Sequence, residues 1–122
     1  MIPQRIYAEI NLDNAKQNMK NIMAVAGNDT KVMAVVKADG YGHGAVQIAR
    51  AFSEIGVEYF GVATVEEAAA LRDSGIKGNI LVLSYAFSDS FKMLIEKDII
   101  STVFDFETAK ELSDIAGAEG KK

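Results

Sequence analysis

Four short apolar runs, each followed by a stretch of helical periodicity, recur along the chain and restrict it to an α/β fold. The runs are Val32-Met33-Ala34-Val35-Val36, Tyr59-Phe60-Gly61-Val62-Ala63, Ile80-Leu81-Val82-Leu83 and Ile99 to Phe104. Strands with one wet face alternate apolar and polar residues. Continuous apolar runs belong to strands covered on both faces, as in a parallel sheet wrapped by helices. The intervening segments supply those helices. Val46, Ala49, Phe52 and Ile55 share one face between Ala45 and Ile55, with Gly56 as a stop. Ala68 and Leu71 mark the next helix, which ends at Gly75 and begins at Thr64 and Glu67, spaced as a capping box. Ser88 can cap a helix bearing Phe91, Leu94 and Ile95. Asp105 can cap one bearing Ala109, Leu112 and Ile115, with Gly117 as its stop.

Ahead of this series, Arg5 to Ile10 alternates polar and apolar residues and reads as a half-buried strand. Asp13 then reads as an N-cap, with Met19, Ile22, Met23 and Ala26 at helical spacing and Gly27 as a stop. No Pro- or Ser-rich linker divides the 122 residues, a length that suits one domain. Two architectures fit: an open doubly wound sheet, or a parallel β/α (TIM-like) barrel. A complete barrel takes roughly 250 residues, so the chain would supply about half of one, with four β/α units after a leading strand and helix. The end at Gly120-Lys121-Lys122, where another strand is due, reads as a cut. Strands near Met33 and Thr102 are the expected open edges, and Val35, Val62 and Val82 the expected lining of the barrel's inner face. Such edges and such a face favour a homo-oligomer.

Composition removes several function classes. Thirteen basic against seventeen acidic residues give a net charge of −4, which opposes nucleic-acid binding. There is no cysteine and one histidine, His43, so thiolate catalysis and multi-histidine metal sites are excluded. No metal site is expected. The start lacks a targeting pattern, and the longest apolar stretch, around Ile80 to Phe87, falls far short of the ~20 residues that span a bilayer. A soluble, cytoplasmic protein without membrane contact is the expectation.

One segment carries chemistry: Val35-Val36-Lys37-Ala38-Asp39-Gly40-Tyr41-Gly42-His43-Gly44. Lys37 ends a strand, and both architectures bind ligands at the carboxyl ends of their strands. Burial there disfavours a charged ammonium, and a neutral amine can form a Schiff base with an aldehyde. Position alone favours the plainer reading of a lysine that meets water at a strand end. The three glycines permit a tight backbone path, Tyr41 between two of them is free to swing over a ligand, and His43 reads as structural. Gly40-Tyr41-Gly42-His43-Gly44-Ala45 formally matches the dinucleotide fingerprint G-x-G-x-x-A. Against that reading, Asp39 would repel a pyrophosphate, and the next strand does not end in the acid that holds a ribose.

Ala34 to Gly44 resembles the cofactor-lysine signature of the bacterial alanine racemases. Tyr7-Ala8-Glu9-Ile10-Asn11-Leu12, Gly61-Val62-Ala63-Thr64-Val65-Glu66-Glu67-Ala68 with Leu71-Arg72, and Ile80-Leu81-Val82-Leu83 resemble further parts of that family's N-terminal region. The resemblance implies pyridoxal 5′-phosphate (PLP) held by Lys37, which is also a catalytic base, with Tyr41 at the cofactor phosphate and Leu83 along its ring. It implies an amino-acid substrate and conversion of L- to D-alanine for peptidoglycan precursors. It also implies that the second base, a tyrosine supplied by the partner subunit of a dimer, and most of the phosphate site lie beyond Lys122. On that reading the chain is the N-terminal portion of a PLP-binding barrel domain, inactive by itself. A non-catalytic half-barrel interaction module and a dinucleotide-binding domain stand as the alternatives.

Overall fold

The computed structural model describes residues 5–122. Helix α1 (Leu12–Ala26) precedes strand β1 (Met33–Val35), and a single turn, α2 (Lys37–Tyr41), leads into α3 (Ala45–Glu54). Then follow β2 (Tyr59–Val62), α4 (Val65–Asp73), β3 (Asn79–Val82), a 3-10 turn (Ser88–Ser90), α5 (Phe91–Glu96), β4 (Ile100–Ser101) and α6 (Phe106–Ala118). The four strands are parallel and lie in chain order, β1-β2-β3-β4.

The arrangement of the layers decides between the two architectures. Ala34, Val36, Phe60, Val62, Ile80 and Val82 form one core with Met19 of α1, Ile48 and Ala49 of α3, Ala68 and Leu71 of α4, and Phe91 and Leu94 of α5. Each Val, Leu, Ile or Phe buried this way contributes roughly 1.5–3 kcal/mol. A doubly wound sheet carries helices on both faces. Here the other face is open: Val35 and Ile100 are exposed on it and Leu81 half-buried, level with one another through the register Val35↔Gly61↔Leu81↔Ile100. Sequential parallel strands with helices on one side only are part of a β/α barrel. The doubly wound alternative, and the dinucleotide site that depended on it, fall with this observation.

Three expectations about the strands need correction. Val62 and Val82 point to the helices, not to the inner face, where Val35 keeps company with Gly61 and Leu83. Arg5 to Ile10 forms no strand, and its residues are exposed; alternation makes a segment strand-competent, but a strand also needs a neighbour, and among the described residues β1 pairs with β2 alone. The run from Ile99 to Phe104 shortens to two ladder residues.

Helix boundaries follow local chemistry. Asn11, not Asp13, caps α1 by accepting the N–H of Asn14 at 2.9 Å. Thr64 and Glu67 form the capping box of α4, and Asp105 caps α6 through the N–H of Thr108. Ser88 opens the 3-10 turn and makes no side-chain cap, while α6 runs one residue past Gly117. At the amino end of the sheet, the Arg72 guanidinium donates to the carbonyls of Ile76, Gly78, Lys97 and Asp98 at 2.6–2.8 Å. One side chain thus ties together the loops that enter β3 and β4.

Candidate functional site

Lys37 leaves the sheet at the carboxyl end of β1. Val36 N–H still donates to Gly61 O at 2.8 Å, and Leu83 N–H to Val62 O at 2.8 Å, so the ladder continues one step past the regular strands. Extending the register sets Lys37 level with Ala63 and Leu83. Two strand spacings separate the backbones of Lys37 and Leu83, ~10 Å. Lys37 is half-buried, and among the described residues it enters no ion pair, unlike Lys16, Lys31, Lys92, Lys97 and Lys110.

Gly61 shapes the floor beside it. A Cβ there would lie 3.2 Å from Met33 Sδ, 3.3 Å from Leu83 Cδ1 and 3.4 Å from Val35 Cγ2. The missing side chain lets these three converge over β2 into an apolar surface below the level of Lys37.

The turn after Lys37 is the most unusual backbone in the molecule. Ala38 (φ 52°, ψ 49°), Asp39 (52°, 44°) and Gly40 (64°, 37°) are left-handed, and Tyr41 follows at φ 55°. L-residues resist this conformation by roughly 1–2 kcal/mol each, so the three non-glycine residues store several kcal/mol. Gly40 is buried at the tightest point, where a Cβ would press on Ala45 N at 3.2 Å and Ala45 Cα at 3.3 Å.

Hydrogen bonds hold the strained path at both ends. Gly40 N–H donates to Val36 O at 2.8 Å, Gly44 N–H to Asp39 O at 2.9 Å, and the ring Nδ1–H of His43 to Gly40 O at 3.0 Å. Asp39 Oδ1 accepts the N–H of Ala45 at 2.9 Å, the first residue of α3. A carboxylate of the chain itself therefore sits where a phosphate would have to sit in the dinucleotide reading. At the other end, Glu67 Oε1 accepts the N–H of Ala38 at 2.9 Å, while its Oε2 accepts those of Ala63 at 2.7 Å and Thr64 at 3.3 Å.

The structure thus gathers Lys37 and Leu83 at one end of the sheet, and Tyr41 stands exposed in the turn that leaves it. His43 has the structural role expected of it. The roles of Asp39 and Glu67 in the turn were not visible in the sequence. Glu67 announced itself only as a capping-box residue, and no local spacing links it to a position 29 residues earlier.

Comparison with known proteins agrees with this geometry. Residues 10–122 match the sequence family described as alanine racemase, N-terminal domain. Alanine racemase 2 of Caldanaerobacter subterraneus subsp. tengcongensis is 47% identical over 120 residues, covering 98% of this chain and 30% of that protein. The alanine racemase of Desulforamulus reducens is 43% identical over 96% of this chain and 32% of its own length. Among solved structures, alanine racemase from Clostridium difficile 630 superposes with a TM-score of 0.90 at 41% identity, covering 93% of this chain and 30% of that one. Alanine racemase from D-cycloserine producing Streptomyces lavendulae gives 0.89 at 40% identity, covering 98% and 31%. The chain spans about 30% of the length of the relatives it matches. With its one-sided parallel sheet, strand-end lysine and family match, the chain belongs to the alanine racemase N-terminal domain family.

Proposed function

We propose that this chain is the N-terminal portion of the cofactor-binding barrel of a PLP-dependent alanine racemase, an isomerase interconverting L- and D-alanine for peptidoglycan precursors. The observation that carries the reading is Lys37: a half-buried lysine without an ion-pair partner among the described residues, at the carboxyl end of a barrel strand. The donor set suits the group. An amine free of carboxylate partners is available to an aldehyde, and the apolar surface formed by Val35 and Leu83 beside it suits a flat ring. Lys37 would hold PLP covalently, Tyr41 would reach its phosphate and Leu83 would line its ring.

When bound, PLP supplies an electron sink for negative charge at the substrate Cα. Lys37 then serves as the base on one face of Cα, taking or returning its proton once the amine is free. The left-handed turn fixes where that amine leaves the sheet. Leu83 and Val35 give one side of the site an apolar wall on the open face of the sheet. Inversion needs a second acid/base on the opposite face. Neither Tyr41, exposed in the turn, nor His43, whose Nδ1–H is engaged by Gly40 O, is assigned that role.

The 122-residue chain alone is expected to be inactive, because each missing acid or base costs 10²–10⁴-fold, as an order of magnitude. A homo-oligomer is part of the proposal. The outer edges of β1 and β4 have no strand partner among the described residues, and the open face is apolar at Val35, Leu83 and Ile100. A cytoplasmic location is likewise proposed; no helix among the described residues is long and apolar enough to cross a membrane. The test is a coupled assay of D-alanine formation by the complete protein carrying this chain. PLP-dependent turnover that Lys37→Ala abolishes is expected. Full turnover in Lys37→Ala would overturn the assignment.

A further inference from the structure

We infer that Glu67 is a positioning residue for Lys37, an inference that rests on the reading of Lys37 as the cofactor lysine. The carboxylate of Glu67, a half-buried residue, joins two adjacent strand ends: Oε1 takes the N–H of Ala38, the residue after Lys37, and Oε2 takes the N–H groups of Ala63 and Thr64 where β2 turns into α4. A fourth hydrogen bond runs the other way, from Glu67 N–H to Thr64 Oγ1 at 3.2 Å. Helix capping explains the contacts with Thr64. It does not explain the bond to Ala38, 29 residues away and at the first left-handed position of the turn.

The bond acts where the backbone changes hand. Val36 is near φ −121°, and Ala38 is at φ 52°. Reversal within two residues leaves the direction of the intervening Lys37 side chain sensitive to the peptide that follows it. Three N–H donors converging on an ionised carboxylate make charge-assisted bonds, stronger than neutral ones. The floor of the site on β2 and the lysine on β1 are thereby held in one rigid frame, as a reacting group needs to be.

The chemistry of the three donors supplies a selective variant. Glutamine has the shape of glutamate but offers one acceptor oxygen and one donor NH₂ group. Its oxygen satisfies the most N–H groups by facing Ala63 and Thr64, which turns the NH₂ toward the N–H of Ala38. Glu67→Gln therefore breaks the link to the Lys37 turn while keeping the cap of α4. Thr64→Ala does the reverse: it removes Thr64 Oγ1 from the cap and leaves the Ala38 bond in place.

Both variants are to be compared with wild type in the complete racemase carrying this chain. The readouts are amide exchange at Ala38, circular dichroism of the bound PLP band, and kcat and KM for alanine. Glu67→Gln should speed Ala38 exchange, change the dichroism and lower kcat by about a hundredfold, the cost of a misplacement near 1 Å. KM should stay within a factor of about three, and Thr64→Ala should leave all of these near wild type. Equal losses of kcat in the two variants, with Ala38 exchange unchanged in Glu67→Gln, would overturn the inference. Borohydride reduction of the wild type separates the two layers. PLP fixed to Lys37 beside such equal losses sinks the positioning role alone, and PLP fixed to another lysine sinks the parent reading and this inference together.

Discussion

Asp39 Oδ1 accepts the backbone N–H of Ala45 at 2.9 Å, so a residue in the left-handed turn caps the helix that begins six positions later. The turn and α3 are therefore one structural unit. Asp39→Ala removes the cap and one anchor of a strained backbone. It should cost about 1–2 kcal/mol by urea denaturation, while Asp39→Asn, which keeps a side-chain oxygen, should cost only a few tenths.

The two glycines that flank Tyr41 should respond differently to alanine. Both have positive φ, but a Cβ at Gly40 meets the backbone of Ala45, whereas one at Gly42 meets nothing within 4 Å. Gly42→Ala should cost about 1–2 kcal/mol from its dihedral alone. Gly40→Ala should cost more, because backbone atoms cannot step aside as a flexible side chain can. Parallel denaturation curves measure the difference.

Arg72 is a stability residue remote from Lys37. Arg72→Ala strands four carbonyls at the amino end of the sheet and should destabilise by about 2–3 kcal/mol. Arg72→Lys should recover little of this, since three donors on one nitrogen cannot span the four carbonyls that the three nitrogens of the guanidinium reach. If PLP is bound at the opposite end, its spectrum should not change in either variant.

Asp105 gives α6 an acid-sensitive start. The backbone N–H of Thr108, and then its side chain, hold the Asp105 carboxyl below its ordinary value of 3.8. A carboxyl depressed in the folded state contributes stability that is present above its unfolded pKa and lost as pH falls through the folded one. The amide resonance of Thr108 should therefore titrate with a midpoint under 3.8, and Asp105→Asn should remove that titration.

The elements were legible where local chemistry sets them. Thr64 with Glu67, Asp105 with Thr108, and the glycine after α1 act within one helical turn, so spacing alone finds them. The four strands were legible as apolar runs, yet the same runs hid which face was which. Val35 and Val62 look alike in sequence, and only the helices packed on Val62 tell them apart. Lys37 stood out through its position and the signature around it. The left-handed path through Ala38, Asp39 and Tyr41 did not, because no run of L-residues favours it; the N–H of Ala45, which donates to Asp39, and the carboxylate of Glu67, which accepts from Ala38 29 residues away, hold it in place.

Lys37 is proposed to carry PLP, and borohydride reduction of the complete protein loaded with PLP, followed by peptide mapping, is the decisive test. The lysines that flank Lys37 in sequence, Lys31 and Lys77, differ from it in their surroundings. Lys31 is held by Glu58, first through a hydrogen bond and then by its charge, which raises its pKa and keeps its amine protonated, and Lys77 is exposed. A single pyridoxyl label is expected, on Lys37, in the peptide that contains Asp39 and Gly40. Label on Lys31 or Lys77 with Lys37 unmodified would contradict it.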